Sequence, residues 1–138
     1  MSLAVKARRA PGRISAGTFV LAAGVQKLSG DANTAKAIHG MAANAYPVLG
    51  KIPPVLFLKL LALVEIGVGS VLLLPIFGAR LAGLALTGFS GGLLGMYFRT
   101  PEMHDKHGLP TLAGTAVAKD VWLNAIGTSL VLDSTLSR

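Results

Sequence analysis

Four stretches of the chain are largely hydrophobic, and polar residues collect in the segments between them. The most apolar stretch runs from Val55 to Leu74 and has a single carboxylate, Glu65, near its centre. A helix of this length extends roughly 30 Å, which is the thickness of the hydrocarbon core of a bilayer. The pattern therefore predicts a transmembrane helix with an acidic side chain at mid-depth.

The four stretches together predict an all-α fold, a four-helix transmembrane bundle. Its helices are expected at about residues 14–30, 55–74, 81–98 and 112–132. Residues 14–138 would form one transmembrane domain. Residues 1–13 would be a basic, disordered cytoplasmic tail, because Pro11-Gly12 is a helix-breaking pair. An alanine-rich segment at residues 34–46 predicts a short helix lying at the membrane interface.

Charged residues inside the predicted spans form a candidate site. A carboxylate at the bilayer centre costs about 3 kcal/mol or more, so Glu65 is expected to face protein rather than lipid. Lys27 in the first span, and Lys119 with Asp120 in the fourth, fall in the same outer half of the bilayer. Either lysine is long enough to reach Glu65. Two interpretations stay open: a charge-balanced structural network, or a site that protonates or binds a polar group such as a quinone head.

The fourth span also carries a polar stripe. Asp120, Asn124 and Thr128 recur every four residues, so they share one face of a helix that extends back to about Leu112. In a membrane such a face is expected to point into the bundle. The stripe could line the path of a small solute.

Small residues in the second and third spans predict close helix packing, within one chain or between copies. The third span has no charge in its interior and contains two overlapping GxxxG pairs. No strand precedes these glycines, so they do not indicate a dinucleotide-binding fold. The predicted packing positions are Gly69, Gly88, Gly91, Gly92 and Gly95.

The composition favours an integral membrane protein. Hydrophobic residues make up 52% of the chain and charged residues only 14%, well below the quarter typical of soluble domains. The net charge of +7 does not indicate nucleic-acid binding, because the basic residues are scattered apart from a group near the N-terminus. That group precedes the first span and favours cytoplasmic termini beside anionic lipid. The same region resembles a signal peptide, which we interpret as an uncleaved first span.

Nothing in the sequence indicates a catalytic centre of its own. The chain has no cysteine, which excludes disulfides, dithiol chemistry and iron–sulfur ligation by this chain. His104 and His107 have the spacing of a metal-binding pair, but they lie in a polar loop with Lys106 between them. A solvated loop without metal is the preferred interpretation. No nucleophile–base pattern or pair of carboxylates suggests a hydrolase.

Four separated motifs together carry a family resemblance: the segment Arg13–Leu28, the segment Leu63–Leu74, the turn at Arg80, and the sequence AKDVWL at Ala118–Leu123. In order and spacing they resemble the DoxX family of four-helix bacterial membrane proteins. The stretch from Pro110 to Leu123 is similar to DoxX-like proteins of actinobacteria. The resemblance covers almost the whole chain, and its family-typical positions are Arg13, Gly24, Lys27, Glu65, Gly69, Lys119 and Asp120.

The resemblance implies a role among membrane redox proteins. Some relatives are small subunits of a membrane thiosulfate:quinone oxidoreductase, and another resembles a scaffold for a superoxide-detoxifying enzyme and a sulfurtransferase. We therefore expect a non-catalytic accessory or scaffold subunit in the bacterial cytoplasmic membrane, assembled with other membrane subunits or with its own copies. Alternatives are a quinone-linked oxidoreductase subunit, with quinone as its cofactor, and a small-solute transporter.

Overall fold

The computed structural model describes residues 1–137, and the fold in this range is all-helical. No strand forms among these residues, and a single isolated bridge pairs His104 with Pro110. The all-α fold class is therefore confirmed. The helices are α1 Leu3–Leu28, α2 Ala32–Ala45, α3 Pro54–Leu73, α4 Ala79–Arg99, the single turn α5 Thr115–Ala118, and α6 Asp120–Leu136.

Three helices lie where the sequence predicted them, because local signals mark their ends. Helix α3 starts with Pro54 in its first turn, where a missing N–H costs nothing, and it ends at Leu73, two residues before Pro75. Helix α4 extends the predicted third span by one or two residues at each end. Helix α2 starts at the side chain of Asp31, which accepts a hydrogen bond from the backbone N–H of Thr34 at 2.7 Å. A helix in this segment is confirmed, and its position at a membrane interface stays a prediction.

Helix α1 begins at Leu3, so the prediction that Pro11-Gly12 keeps residues 1–13 non-helical is wrong. A proline inside a helix removes one backbone hydrogen bond and crowds the preceding turn. Contacts with α6 offset that cost in this structure. Arg8 and Arg9 both bind the carboxylate of Asp133, with the Arg8 Nε donating to Oδ1 at 2.8 Å. The helix is therefore held by tertiary contacts on the N-terminal side of Pro11, which the local sequence does not show.

The predicted continuous helix from about residue 112 is also wrong. Residues 112–114 form turns, α5 is a single turn, and α6 starts only at Asp120. Between the two helices the backbone N–H of Trp122 donates to the carbonyl of Lys119 at 2.9 Å. This bond joins residues three apart, so it closes a tighter turn than the α-helical bond between residues four apart. Lys119 therefore precedes α6, and Asp120 occupies its first turn, where the helix dipole favours a carboxylate.

The helices pack as two close pairs, α1 along α3 and α4 along α6, which meet mainly where α3 contacts α4. Glycines make both pairs close. A Cβ atom added at Gly69 would lie 2.7 Å from the backbone nitrogen of Leu21, and one at Gly83 would lie 2.6 Å from the carbonyl oxygen of Gly127. Neither position has room for a side chain unless the helices separate.

The predicted packing glycines divide into two groups. Gly69 packs against α1 as predicted, and Gly95 leaves room for the phenolic hydroxyl of Tyr46. By contrast, a Cβ atom at Gly88 or Gly92 would meet nothing within 4 Å, and one at Gly91 would meet only the amide of Asn124, at 3.9 Å. The GxxxG pairs therefore do little of the packing within this chain. Packing of Gly88 and Gly92 against another protein stays a prediction.

Among residues 1–137, two helices are long and apolar enough to cross a membrane, α3 and α4. In their apolar windows only 28% and 33% of the residues are buried inside the protein. Most residues of these two windows are therefore half-buried or exposed.

Candidate functional site

An ion pair joins the end of α1 to the middle of α3. The Nζ atom of Lys27 lies 2.9 Å from Oε2 of Glu65, and the Glu65 side chain is only 5% exposed. Gly24 makes this pair reachable, because it brings α1 against α3; a Cβ atom there would lie 2.9 Å from the Cβ atom of Glu65. The prediction that a buried Glu65 finds a lysine partner is confirmed for Lys27.

Lys119 does not pair with Glu65. Its Nζ atom lies 4.3 Å from the centre of the Phe19 ring on α1. An ammonium over an aromatic face gains a cation–π attraction, about 0.5–2 kcal/mol depending on desolvation. Lys119 lies in the break between α5 and α6, and Glu65 forms its ion pair with Lys27 instead. Of the two predicted lysine partners, Lys119 is therefore the wrong one.

Asp120 is buried beside this cluster, and no side chain among residues 1–137 donates a hydrogen bond to it. It is 5% exposed, and its carboxylate makes no hydrogen bond or ion pair with any residue in the range 1–137. Buried carboxylates normally have such partners, because desolvation without compensation costs several kcal/mol. Asp120 lies in the first turn of α6, where the helix dipole favours a carboxylate.

All four charged residues line one cavity of about 280 Å³. Its walls are otherwise apolar, and they come from every long helix of the fold. This volume is near the lower end of the range seen for small-molecule sites. The apolar wall includes Val20, Ile38, Leu61, Phe89, Leu93, Met96 and Leu123. The arrangement is a polar patch inside an apolar cavity, which suits a small amphipathic molecule.

The predicted polar stripe on α6 does not face one cavity. Asp120 lines the cavity, whereas the Asn124 amide donates to the carbonyl of Thr87 at 3.3 Å and to the hydroxyl of Ser90 at 3.2 Å. Thr128 is exposed, so its predicted orientation toward the interior is wrong. The α-helix turns by slightly less than a full turn in three residues and more in four, so residues four apart drift around the helix.

Two buried polar residues on α4 were not predicted from the sequence. Ser90 is fully buried and donates to the carbonyl of Leu86 at 2.7 Å, while it accepts from Asn124. The hydroxyl of Thr87 is buried without a hydrogen-bond partner among residues 1–137, next to the crossing at Gly127. Their spacing of three residues in an apolar span was the available signal.

Arg13 has a structural role at the C-terminal end of α3. Its guanidinium donates to the carbonyls of Val71, Leu72 and Leu74 at 3.0, 2.8 and 3.1 Å. The last carbonyls of a helix have no partner inside it, so an arginine from a neighbouring helix satisfies them. This contact explains a charged residue within α1 without any catalytic role.

The histidine loop is ordered by hydrogen bonds to backbone atoms. A ring nitrogen of His104, Nε2, lies 3.2 Å from the carbonyl oxygen of Phe98, and Asp105 accepts from the backbone N–H groups of His107 and Leu109 at 2.8 and 3.0 Å. These bonds involve the side chains of His104 and Asp105. The expectation that it holds no metal stays a prediction.

No protein-family model matches the chain, and no curated protein or solved structure matches it. The resemblance to the DoxX family therefore depends on the short motifs of the sequence.

Proposed function

We propose that this protein spans the bacterial cytoplasmic membrane as a DoxX-type four-helix bundle formed by α1, α3, α4 and α6. One observation supports this most strongly. On α3 two apolar side chains point outward and the acid next to them points inward: Leu63 and Val64 are 59% and 51% exposed, and Glu65 is 4% exposed. Water would favour the opposite arrangement, whereas lipid favours an apolar exterior around a paired charge.

Within that membrane protein we propose an accessory, non-catalytic role in a redox or stress-related complex. The charged groups that could act in catalysis are partly engaged with each other, since Lys27 and Glu65 form a direct pair. At the same time α4 exposes Gly88 and Gly92, and a Cβ atom added at either glycine would meet no atom of residues 1–137 within 4 Å. Exposed glycines at this spacing allow a second transmembrane helix to approach closely. A partner subunit on α4 would use this surface.

The test is purification in mild detergent with identification of co-purifying membrane proteins by mass spectrometry. We expect a reproducible partner with the unmodified protein and its loss with the double variant Gly88→Leu/Gly92→Leu. Gly67→Leu on α3 is the matched control, because that glycine is also exposed with open space around it. A protein that purifies only with copies of itself would contradict the accessory role.

A quinone-linked oxidoreductase subunit is the second candidate, and the cavity beside Asp120 is the observation that favours it. In that case Glu65 and Lys27 would bind the head group and pass protons. The variant Glu65→Gln keeps the shape of the side chain and removes its charge. If it assembled normally but lost quinone-dependent activity of the complex, the second candidate would be favoured. If it lowered expression or assembly instead, a structural role of the pair would be favoured.

The transporter alternative gains no support, because Thr128 points outward and Asn124 is bonded to α4.

A further inference from the structure

The cavity contains a carboxylate that forms no hydrogen bond with residues 1–137. Lys27 donates to Oε2 of Glu65 at 2.9 Å, but no side chain or backbone group within residues 1–137 donates to the carboxylate of Asp120. Asp120 is only 5% exposed, so bulk water reaches it poorly. A carboxylate in this position gains from any molecule that brings a hydrogen-bond donor into the cavity.

The same cavity contains a donor with spare capacity. The Lys119 ammonium has three N–H donors. It makes no hydrogen bond or ion pair with residues 1–137, and its Nζ atom lies 4.3 Å from the centre of the Phe19 ring. Lys119 is the sequence neighbour of Asp120, and both line the cavity. The cavity therefore offers an acceptor, Asp120, and a donor, Lys119, in addition to the Lys27–Glu65 ion pair.

The net charge of the cavity limits what can bind. Two lysines and two acids line it, so their formal charges cancel. A cation or an anion would bring an uncompensated charge into a site with apolar walls, which is costly. An uncharged hydroxyl meets both needs, because it donates to a carboxylate and accepts from an ammonium.

We infer that the cavity formed by Lys27, Glu65, Lys119 and Asp120 binds an uncharged amphipathic small molecule through a hydroxyl group that donates to Asp120. The apolar walls would cover the rest of the molecule, and a cavity of about 280 Å³ has room for a substituted ring with a short alkyl chain. This inference goes beyond the accessory role. A protein without partner subunits would still bind the molecule.

The experiment uses the purified full chain in detergent and two matched probes, para-butylphenol and its methyl ether. The ether has no O–H donor and is larger than the phenol by one methyl group. Binding is measured by isothermal titration calorimetry, with the heats of empty micelles subtracted. We expect saturable binding of the phenol and at least about tenfold weaker binding of the ether, which is the effect of losing one hydrogen bond to a charged acceptor.

Variants assign the preference to Asp120. We expect Asp120→Ala to bind the two probes equally, while Asp120→Asn, which keeps an acceptor oxygen, keeps part of the preference. Asp105→Ala in the exposed loop is the control and should bind as the unmodified protein does. Circular dichroism shows whether each variant folds. If Asp120→Ala does not fold, the comparison of the two probes with Asp120→Asn and with the unmodified protein still decides.

Three results would overturn the inference. They are the absence of saturable phenol binding to folded protein, equal binding of phenol and ether by the unmodified protein, and a preference for the phenol that survives in folded Asp120→Ala. A butyl-substituted benzoquinone, which only accepts hydrogen bonds, extends the test. Binding as tight as that of the phenol would overturn the need for a donor and favour the quinone candidate. Failure to find partner subunits would affect only the accessory role.

Discussion

The ammonium of Lys27 lies 2.9 Å from the carboxylate of Glu65, and this pair connects the last turn of α1 to the centre of α3. Removal of one member leaves the other charge buried and uncompensated. We expect Lys27→Met to lower the free energy of unfolding by about 3 kcal/mol or more. The double variant Lys27→Met/Glu65→Leu should lose clearly less than Lys27→Met alone. Thermal unfolding in detergent, followed by circular dichroism, measures the difference. Additive losses of the two single variants would show that the pair does not couple the helices.

The crossing of α4 and α6 depends on Gly127. A Cβ atom there would lie 2.8 Å from the backbone nitrogen of Thr87, and backbone cannot move aside as a flexible side chain can. We expect Gly127→Ala to cost about 1–3 kcal/mol of unfolding free energy through overpacking. Gly88→Ala is the matched control, because open space surrounds that position. It should be neutral or raise stability by up to about 1 kcal/mol, since alanine favours the helix. Equal destabilisation by both variants would contradict the proposed crossing.

Arg13 satisfies the carbonyl groups at the end of α3. Arg13→Ala removes donors to three carbonyls, so we expect a loss of about 2 kcal/mol. Faster amide hydrogen exchange in the last turn of α3 should accompany the loss. Arg80→Ala is the control, since Arg80 is exposed and makes no hydrogen bond through its side chain within residues 1–137. The prediction fails if exchange in α3 is the same in both variants.

Asp133 holds the N-terminal part of α1. Its carboxylate binds Arg8 and Arg9, so Asp133→Ala should release the helical residues on the N-terminal side of Pro11. We expect faster amide exchange in residues 3–10 and little change in α3. High salt should produce a weaker form of the same effect in the unmodified protein, because Arg8 is half exposed and its charge is screened. Unchanged exchange in the variant would mean that α1 is stable there without α6.

The cap of α2 predicts a dependence on pH. The hydrogen bond from the backbone N–H of Thr34 holds the pKa of Asp31 below its ordinary value. A carboxyl with a lowered pKa in the folded state stabilises the fold above its unfolded pKa, and this contribution disappears as the pH falls through the folded pKa. We expect amide exchange in α2 to be slower in the unmodified protein than in Asp31→Ala at neutral pH. The difference should shrink below about pH 4, the range where an unperturbed aspartate is protonated. A difference that grows on acidification would contradict this assignment.

Local signals in the sequence determined three helices and the inward direction of one charge. The run from Val55 to Leu74 is long, apolar and followed by a proline, and these properties define α3 whatever surrounds it. The acid within the run could not face an apolar environment, so a buried, paired Glu65 followed from elementary electrostatics. The same reasoning identified Lys27 as a partner at a suitable depth.

The tertiary structure decided which groups meet and where two helices begin. Helix α1 continues through Pro11 because Asp133, far away in the sequence, binds the arginines before it. Lys119 and Lys27 have side chains of the same length, and the choice between them depended on which helices pack closely together. Gly24 brings α1 against α3, whereas the break before α6 directs Lys119 to Phe19. Helix signals arise from neighbours along the chain, but contacts between helices depend on their separation, which only packing fixes.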